Sequence, residues 1–176
     1  MVRRTEQPPA IPLRDLLSHR LQPGRLEWIG VRPARASVLQ VQREAEVQTD
    51  RGIAGDRASA RAGGKRQVSL FQAEHLSVIA QLLRRAEVDP ALLRRNLVVR
   101  GINLAALRAT SFRVGEVLFK GVGSCEPCSK LEQALGHGGY NACRGHGGIL
   151  ARVVRGGVIR VGDEVDFYED RTAAPS

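Results

Sequence analysis

Three cysteines and a histidine lie close together near the C-terminal end of the chain, in a spacing that suits metal or sulfur chemistry. Cys125 and Cys128 flank a Glu-Pro pair, and fourteen residues further on Cys143 is followed by His146 at the third position. Thiolates and imidazole are the ligands that tetrahedral zinc prefers, so Cys125, Cys128, Cys143 and His146 form an alternative zinc set. Zinc knuckles usually turn on a glycine beside the cysteines, and the Glu-Pro pair does not supply one.

Three other interpretations of the cysteines stay open. A Cys-x-x-Cys pair is typical of thioredoxin-like dithiols, but these open a helix after a parallel strand, and the runs around this pair favour antiparallel strands. Free cysteines are most often small buried side chains, whereas this pair has polar neighbours such as Ser129 and Lys130. The remaining interpretation is one reactive thiolate, Cys128, which accepts sulfur as a persulfide or coordinates a soft metal such as molybdenum.

The formal net charge of +9 comes almost entirely from arginine, because Lys65, Lys120 and Lys130 are the only lysines. Such a composition is also typical of a GC-rich genome, and solvated positive charge keeps a protein soluble. As a functional signal, it favours an anionic partner that guanidinium groups bind through a planar fork. The seven aromatic residues are scattered and form no stacking stripe, so a small anion is favoured over a specific nucleic acid.

The length of 176 residues and an ordinary globular composition predict one domain without disulfides. No apolar run approaches the roughly 18 to 20 residues that cross a bilayer, so no membrane association is expected. The basic N-terminus is followed by Gln7-Pro8-Pro9 and not by the apolar core of a secretory signal. A cytoplasmic location is therefore expected.

The chain pattern predicts a proline-containing extension over residues 1–24, with one or two helical turns between Leu13 and Leu21. Short β-branched runs then predict two early strands, over residues 26–31 and 37–47, and residues 61–67 form a glycine-rich basic loop. One amphipathic helix is predicted over residues 72–85, a short helix over residues 91–95, and a helix-compatible stretch over residues 129–135.

These elements predict a mainly β fold with appended helices, built on a closed or barrel-like, mostly antiparallel sheet. The domain is expected to span residues 25–170, followed by a tail at residues 171–176. The last strands alternate with turns at Gly156-Gly157 and Gly162-Asp163. No internal repeat is visible.

Seven sequence blocks occur in an order that resembles MOSC domains, named after the C-terminal domain of molybdenum cofactor sulfurases. Together they span roughly residues 26–168. The blocks are Gly55-Asp-Arg57, Arg66-Gln-Val-Ser-Leu70 with Glu74 downstream, Arg95-Asn-Leu97, Gly101-Ile-Asn-Leu104, Cys125-Glu-Pro-Cys-Ser-Lys-Leu131, Arg144-Gly-His-Gly-Gly148 and Gly156-Gly-Val-Ile-Arg-Val-Gly-Asp163.

The resemblance implies a β-rich barrel and a cysteine that carries sulfur or ligates molybdenum in the molybdenum cofactor, molybdopterin. Cys128 matches the family's cysteine, whereas Cys125 falls where members vary and Cys143 has no assigned role. Because molybdopterin carries a phosphate, arginines and polar groups in the matching blocks are candidates to bind it. These candidates are Arg57, Arg66, Ser69, Arg95, Asn96 and Arg144.

The resemblance leaves the activity open between two versions. In one, the protein binds the cofactor and reduces N-hydroxylated compounds with a redox partner, because no flavin, haem or iron–sulfur motif is present. In the other, Cys128 receives sulfur from a pyridoxal-phosphate-dependent cysteine desulfurase. An arginine-rich interaction module with incidental cysteines is the non-catalytic alternative.

Overall fold

The computed structural model describes residues 11–18, 22–35 and 37–169 of the chain. Most of the predicted N-terminal extension and the predicted tail therefore lie outside the described residues. Within the extension, a helix α1 covers Leu13–Ser18. The first barrel strand begins at Gly24, one residue before the predicted start of the domain.

The described strands follow one another along the chain with short connections. They are β1 (Gly24–Val31), β2 (Gln40–Gln42), β3 (Glu44–Gln48), β4 (Gly52–Ile53), β5 (Val68–Gln72), β6 (Leu97–Arg100), β7 (Ser111–Val114), β8 (Val117–Ser124), β9 (Ile149–Arg155), β10 (Gly157–Arg160) and β11 (Glu164–Phe167). Three further helices are α2 (Glu74–Leu82), α3 (Ser129–Leu135) and α4 (Gly139–Ala142).

Seven of these strands close into a barrel in the order β11-β7-β8-β9-β5-β6-β1, and the first and last strands pair through Gly24 and Val165. All pairings in the ring are antiparallel except that of β5 with β6, which is parallel. β2 extends the sheet beyond β1, and β10, β3 and β4 form a second, three-stranded sheet. The predicted closed, mostly antiparallel β fold with appended helices is confirmed.

The alternation of side chains along the strands builds two hydrophobic clusters. Leu70 of β5 and Leu97 of β6 point into the barrel, where Phe112 and Phe119 stack with their ring centroids 5.4 Å apart. The next residue on each strand, Phe71 and Val98, faces the opposite way because successive β side chains alternate. On that outer face they pack against a second cluster, which α2, α3 and α4 help to form.

The helix predictions need one correction. The amphipathic helix exists as α2, and its Ile79 and Ala80 are buried as its spacing indicates. The short helix predicted over residues 91–95 is instead a 3₁₀ turn over Pro90–Leu93, capped by the carboxylate of Asp89. It ends because Arg94 adopts a left-handed conformation with φ of 59°. This places Arg94 and Arg95 in the turn before β6, which begins at Leu97, and not on a helix.

The run predicted as one strand over residues 37–47 also differs, because it divides at Arg43 into β2 and β3, which belong to different sheets. Residues 61–67 form a loop without a helix or strand, as predicted. In the described part of the chain, no helix combines the length and the apolar character that crossing a bilayer requires.

Candidate functional site

A cavity of about 170 Å³ opens at one end of the barrel, where three strand ends meet. β1 runs antiparallel to β6 and β6 runs parallel to β5, so the end of β1 lies beside the beginnings of the other two. The 3₁₀ turn at Arg57–Ala60 and the basic loop before β5 complete the wall. The lining residues are Gly30, Arg32, Leu39, Asp56, Arg57, Ala58, Arg66, Gln67, Val68, Ser69, Arg94, Arg95, Asn96 and Leu150.

The cavity concentrates positive charge. Five arginines line it against a single carboxylate, that of Asp56. Within the described part of the chain, four of these guanidinium groups have neither an ion-pair partner nor a hydrogen-bond acceptor in the protein. These four are Arg32, Arg57, Arg66 and Arg94. Burial, followed by repulsion from Arg94, lowers the pKa of Arg32, and Asp56 opposes this shift. The cavity therefore presents unsatisfied cationic donors to an anion.

Asp56, Asn96 and Ser69 form a hydrogen-bond network that fixes the cavity wall. The Asp56 carboxylate accepts from the backbone N–H groups of Arg32 at 2.9 Å and Ala58 at 2.8 Å, and from the Asn96 side chain at 3.0 Å. The Ser69 hydroxyl donates to Asn96 Oδ1 at 2.8 Å and accepts from the Asn96 backbone N–H at 3.1 Å. Asn96 also donates to the carbonyl of Gly30 at 3.2 Å.

This network indicates a structural role for two residues that the sequence predicted to bind the cofactor. The amide oxygen of Asn96 accepts two hydrogen bonds from Ser69, and its amide nitrogen donates to Gly30 and Asp56. The polar atoms of Asn96 are thus already used within the protein. Ser69 and Asn96 lie in the cavity wall as predicted, but their bonds orient β1, β5 and β6 and thereby position the arginines.

Arg95 connects the cavity to residues 125–147, the cysteine segment, which contains all three cysteines. The residue is only 6% exposed, and its side chain makes no ion pair with a described carboxylate. Nε donates to the carbonyl of Gly147 at 2.8 Å, and the two terminal nitrogens donate to Leu93 at 3.1 Å and Cys125 at 3.1 Å. A buried charge without a counter-ion is costly, so these carbonyls and the open cavity must stabilise it.

Cys125 and Cys128 lie in different environments. Cys125 follows β8, and its backbone N–H donates to the carbonyl of Gly148 at 2.9 Å. Burial raises the pKa of the Cys125 thiol, and the charges of Arg95 and Arg66 partly offset that effect. Pro127 is buried, whereas Cys128 is exposed at the residue before α3. Cys128 is thus the accessible thiol, although it does not line the cavity.

Glycines 147 and 148 allow the cysteine segment to approach the barrel closely. A Cβ at position 147 would overlap the carbonyl oxygen of Cys125, and one at position 148 would overlap that of Leu70. Gly148 also has φ of 86°, a backbone conformation that residues with a side chain rarely adopt. The glycine block recognised in the sequence therefore serves close backbone packing beside Arg95.

The alternative zinc set is not assembled. Cys143 is fully buried in the helix-side cluster, where burial raises its pKa, while Cys128 is exposed on the surface. His146 packs edge-to-face against His75, with ring centroids 4.7 Å apart. Among the described residues, no group of three or more His, Cys, Asp or Glu side chains is arranged to hold a metal ion.

The structure thus gathers five of the six predicted cofactor-binding residues around one cavity: Arg57, Arg66, Ser69, Arg95 and Asn96. The sixth, Arg144, is exposed and lies outside its lining. The sequence interpretation missed Arg32 and Arg94 as cavity residues. Both stand at strand ends that meet through tertiary pairing, so no local signal singled them out.

The closed mixed barrel, its appended helices and its arginine-lined cavity define the structural class. The chain belongs to the MOSC domain family, whose model matches residues 57–166, and the resemblance recognised in the sequence is confirmed. No curated protein sequence matches the chain.

Solved structures share the fold at low identity. The YuaD protein from Bacillus subtilis is 21% identical with a TM-score of 0.67, over 84% of this chain and 98% of that one. YiiM from Geobacillus stearothermophilus is 20% identical with a TM-score of 0.65, over 88% of this chain and 80% of that one. YiiM from Escherichia coli is also 20% identical, with a TM-score of 0.61, over 82% of this chain and 70% of that one.

Proposed function

We propose that the protein binds the molybdenum cofactor, with its phosphate held in the arginine-lined cavity and Cys128 as the sulfur ligand. The MOSC family is associated with molybdenum-cofactor and sulfur chemistry. The observation that carries the proposal is the set of unpaired guanidinium groups on Arg32, Arg57, Arg66 and Arg94, facing one saturated carboxylate. Guanidinium binds phosphate with charge-assisted, often bidentate hydrogen bonds.

The size and chemistry of the cavity fit the anionic end of such a ligand. Its volume of about 170 Å³ is smaller than the roughly 300 to 1,000 Å³ of clefts that enclose whole small molecules. The cavity therefore suits a phosphate-sized group, and the rest of the ligand would lie outside it. The five arginines supply donors and charge, and the network of Asp56, Asn96 and Ser69 keeps them in place.

When bound, the cofactor supplies a redox-active molybdenum for oxygen-atom chemistry. The protein's own residues would act by binding and positioning. Arg57 and Arg66 would neutralise the phosphate, and Arg95 would hold the backbone of Cys125 and Gly147 against the barrel. Reduction of an N-hydroxylated compound would also require electrons from a partner protein.

The decisive experiment measures what the protein carries after production in a host that makes the cofactor. We expect molybdenum by mass spectrometry and pterin fluorescence after oxidative release, both lost in an Arg57→Ala/Arg66→Ala double variant. Arg144→Ala is the matched control, because this exposed arginine lies outside the cavity.

Calorimetry of inorganic phosphate binding to the purified protein supplies a second readout. It does not depend on whether the protein carries the cofactor. The proposal fails if the protein carries no pterin and the double variant binds phosphate as well as the parent. One zinc per chain, lost in Cys143→Ala, would support the alternative zinc site instead.

The exposure of Cys128 outside the cavity favours a second candidate function, sulfur carriage. An exposed thiol is accessible to a donor protein, and a cysteine desulfurase in the cytoplasm is the donor class we propose. Incubation with a desulfurase and L-cysteine should then add about 32 Da to Cys128, the mass of one sulfur atom. A Cys128→Ser variant that still gains the adduct would contradict this role.

A further inference from the structure

A second basic depression lies beside the cavity and close in sequence to Cys128. This groove, of about 440 Å³, is lined by Arg35, Arg94, Lys130, Gln133 and Ala134. In the described part of the chain, its three cationic side chains have no ion-pair or hydrogen-bond partner. Among the described residues, no carboxylate lines the groove.

The groove and the cavity share Arg94. That residue holds a left-handed backbone conformation with φ of 59°, a state that costs a non-glycine residue about 1 kcal/mol or more. The conformation ends the 3₁₀ turn before β6 and sets Arg94 where it lines both depressions. Backbone strain of this kind persists where surrounding structure fixes it, often at functional sites.

The opposite wall of the groove is one face of α3. Lys130, Gln133 and Ala134 stand at spacings of three and four residues, which share one face of a helix. Leu131 and Leu135 are buried on the barrel side. The acidic residue of this helix, Glu132, accepts from the N–H groups of Gly138 at 2.9 Å and Tyr140 at 2.6 Å. These bonds direct the Glu132 carboxylate to the start of α4, and Glu132 does not line the groove.

The size of the groove indicates a partner larger than the ligand of the cavity. Its three cations come from separate segments of the chain, and its volume of about 440 Å³ exceeds the about 170 Å³ of the cavity. An extended chain with several separated carboxylates matches this spread, and the Gln133 amide suits a peptide backbone. The scattered aromatics give no stacking surface for single-stranded nucleic acid.

We propose that this groove docks an acidic segment of the protein that exchanges sulfur with Cys128. The proposal rests on the sulfur-carrier function and extends it by naming the docking surface. Cys128 lies two residues before Lys130 and is exposed, so a partner seated on the groove brings its own reactive cysteine to this thiol.

The chemical step is a sulfane transfer between two proteins. The Cys128 thiolate attacks the terminal sulfur of the donor's cysteine persulfide, forming a new sulfur–sulfur bond at Cys128. The donor's own sulfur–sulfur bond breaks, the donor leaves as a thiolate, and the proton stays on the transferred sulfur. No external oxidant or reductant enters the step.

A charge-reversal pair tests the groove. The groove variant is Arg35→Glu/Lys130→Glu, which reverses two of the groove's charges. The control variant is Lys120→Glu/Arg152→Glu, which makes the same change of charge on residues that line neither the cavity nor the groove. Arg94 is kept because it also lines the cavity. The first assay measures the rate of Cys128 persulfidation by a bacterial cysteine desulfurase with L-cysteine, and then by inorganic polysulfide, which needs no docking.

We expect the groove variant to lose about tenfold in the desulfurase-dependent rate at low salt, because charges at an interface act mainly on association. Its polysulfide-dependent rate should match that of the parent, as should both rates of the control variant. Binding of a fluorescent deca-glutamate peptide should weaken in parallel, and only in the groove variant.

The proposal is overturned if the groove and control variants behave alike in both assays. It is equally overturned if a 20-nucleotide single-stranded RNA binds more tightly than the peptide and loses that binding in the groove variant, which would indicate a nucleic-acid surface. Molybdenum and pterin content, measured on the same preparations, reports separately on the cofactor proposal.

Discussion

The guanidinium of Arg95 donates a hydrogen bond of 3.1 Å to the backbone carbonyl of Cys125. Through this contact, a residue just before β6 holds the start of the cysteine segment, directly after the end of β8. The same side chain also holds Gly147, so one buried cation holds both ends of the segment over residues 125–147, which contains Cys128. Arrangement of the thiol and assembly of the anion cavity are therefore structurally linked.

Replacing Arg95 should destabilise the protein strongly. Arg95→Leu removes three hydrogen bonds to backbone carbonyls and leaves buried acceptors unpaired, which should cost about 3 kcal/mol or more. Arg95→Lys keeps the charge but not the planar fork, so its loss should be intermediate. Urea unfolding measures both, and exposed Arg144→Leu should stay within about 0.5 kcal/mol of the parent.

Gly147→Ala should also destabilise, by roughly 2 kcal/mol or more, because the added methyl group overlaps the Cys125 carbonyl. Gly64→Ala is the control, since a Cβ there meets nothing within 4 Å. Thermal unfolding of the two variants compares them directly. An unchanged midpoint for Gly147→Ala would show that the glycine segment does not pack as described.

The Asn96 network should respond to a second carboxylate with a distinctive pH dependence. Asn96→Asp places a charge about where the amide now donates to Asp56 at 3.0 Å, and two close carboxylates do not both ionise readily. The folded-state pKa of the pair rises above its unfolded value, so the variant should be least stable at neutral pH. Its deficit relative to the parent should shrink as the pH falls towards 4, the ordinary range of aspartate.

Urea titrations at several pH values measure this deficit, and Asn96→Ala provides the comparison. That variant also loses the network but adds no charge, so its deficit should not shrink in acid. Equal pH profiles for the two variants would contradict the described contact with Asp56.

His75 should make the protein less stable in mild acid. Burial first, and repulsion from His146 second, lower its pKa from the ordinary value of 6.5. The unfolded chain therefore binds the proton more readily, and the free energy of unfolding should fall as the pH drops below 6.5 towards the folded pKa. His75→Gln should flatten this dependence, whereas His137→Gln, at an exposed position, should retain it.

The three thiols should react with iodoacetamide in a fixed order. Cys128 is exposed and should be modified first, whereas burial protects Cys125 and Cys143 and raises the pKa of both thiols. Peptide mass spectrometry at pH 7.5 and 9 measures the order, and the higher pH should accelerate Cys125 more than Cys143, which is fully buried. Early modification of Cys143 would contradict its place in the core.

The sequence predicted those features that depend on local pattern. The spacing of Leu76, Ile79, Ala80 and Leu83 predicted α2, and the short β-branched runs predicted most of the barrel strands. Ordered motif blocks identified the family, and the role that they imply for Cys128 stays a prediction. The division of residues 37–47 into β2 and β3 was not predictable locally, because the two halves pair with different sheets.

The site was predictable in its residue types but not in its arrangement. Arg57, Arg66 and Arg95 belong to recognisable blocks, whereas Arg32 and Arg94 reach the cavity only through pairing of β1, β5 and β6. Asn96 shows the converse case. Its type suggested a ligand donor, but its hydrogen bonds are all made to neighbours whose positions depend on tertiary structure.

Pairing of β1 with β11 has a consequence for synthesis on the ribosome. The barrel cannot close until Val165 has left the exit tunnel and met Gly24, and such non-local pairing forms slowly. The segment with Cys125, Cys128 and Cys143 emerges earlier than that last strand. A nascent chain therefore presents all three thiols before the fold that buries Cys143 is complete.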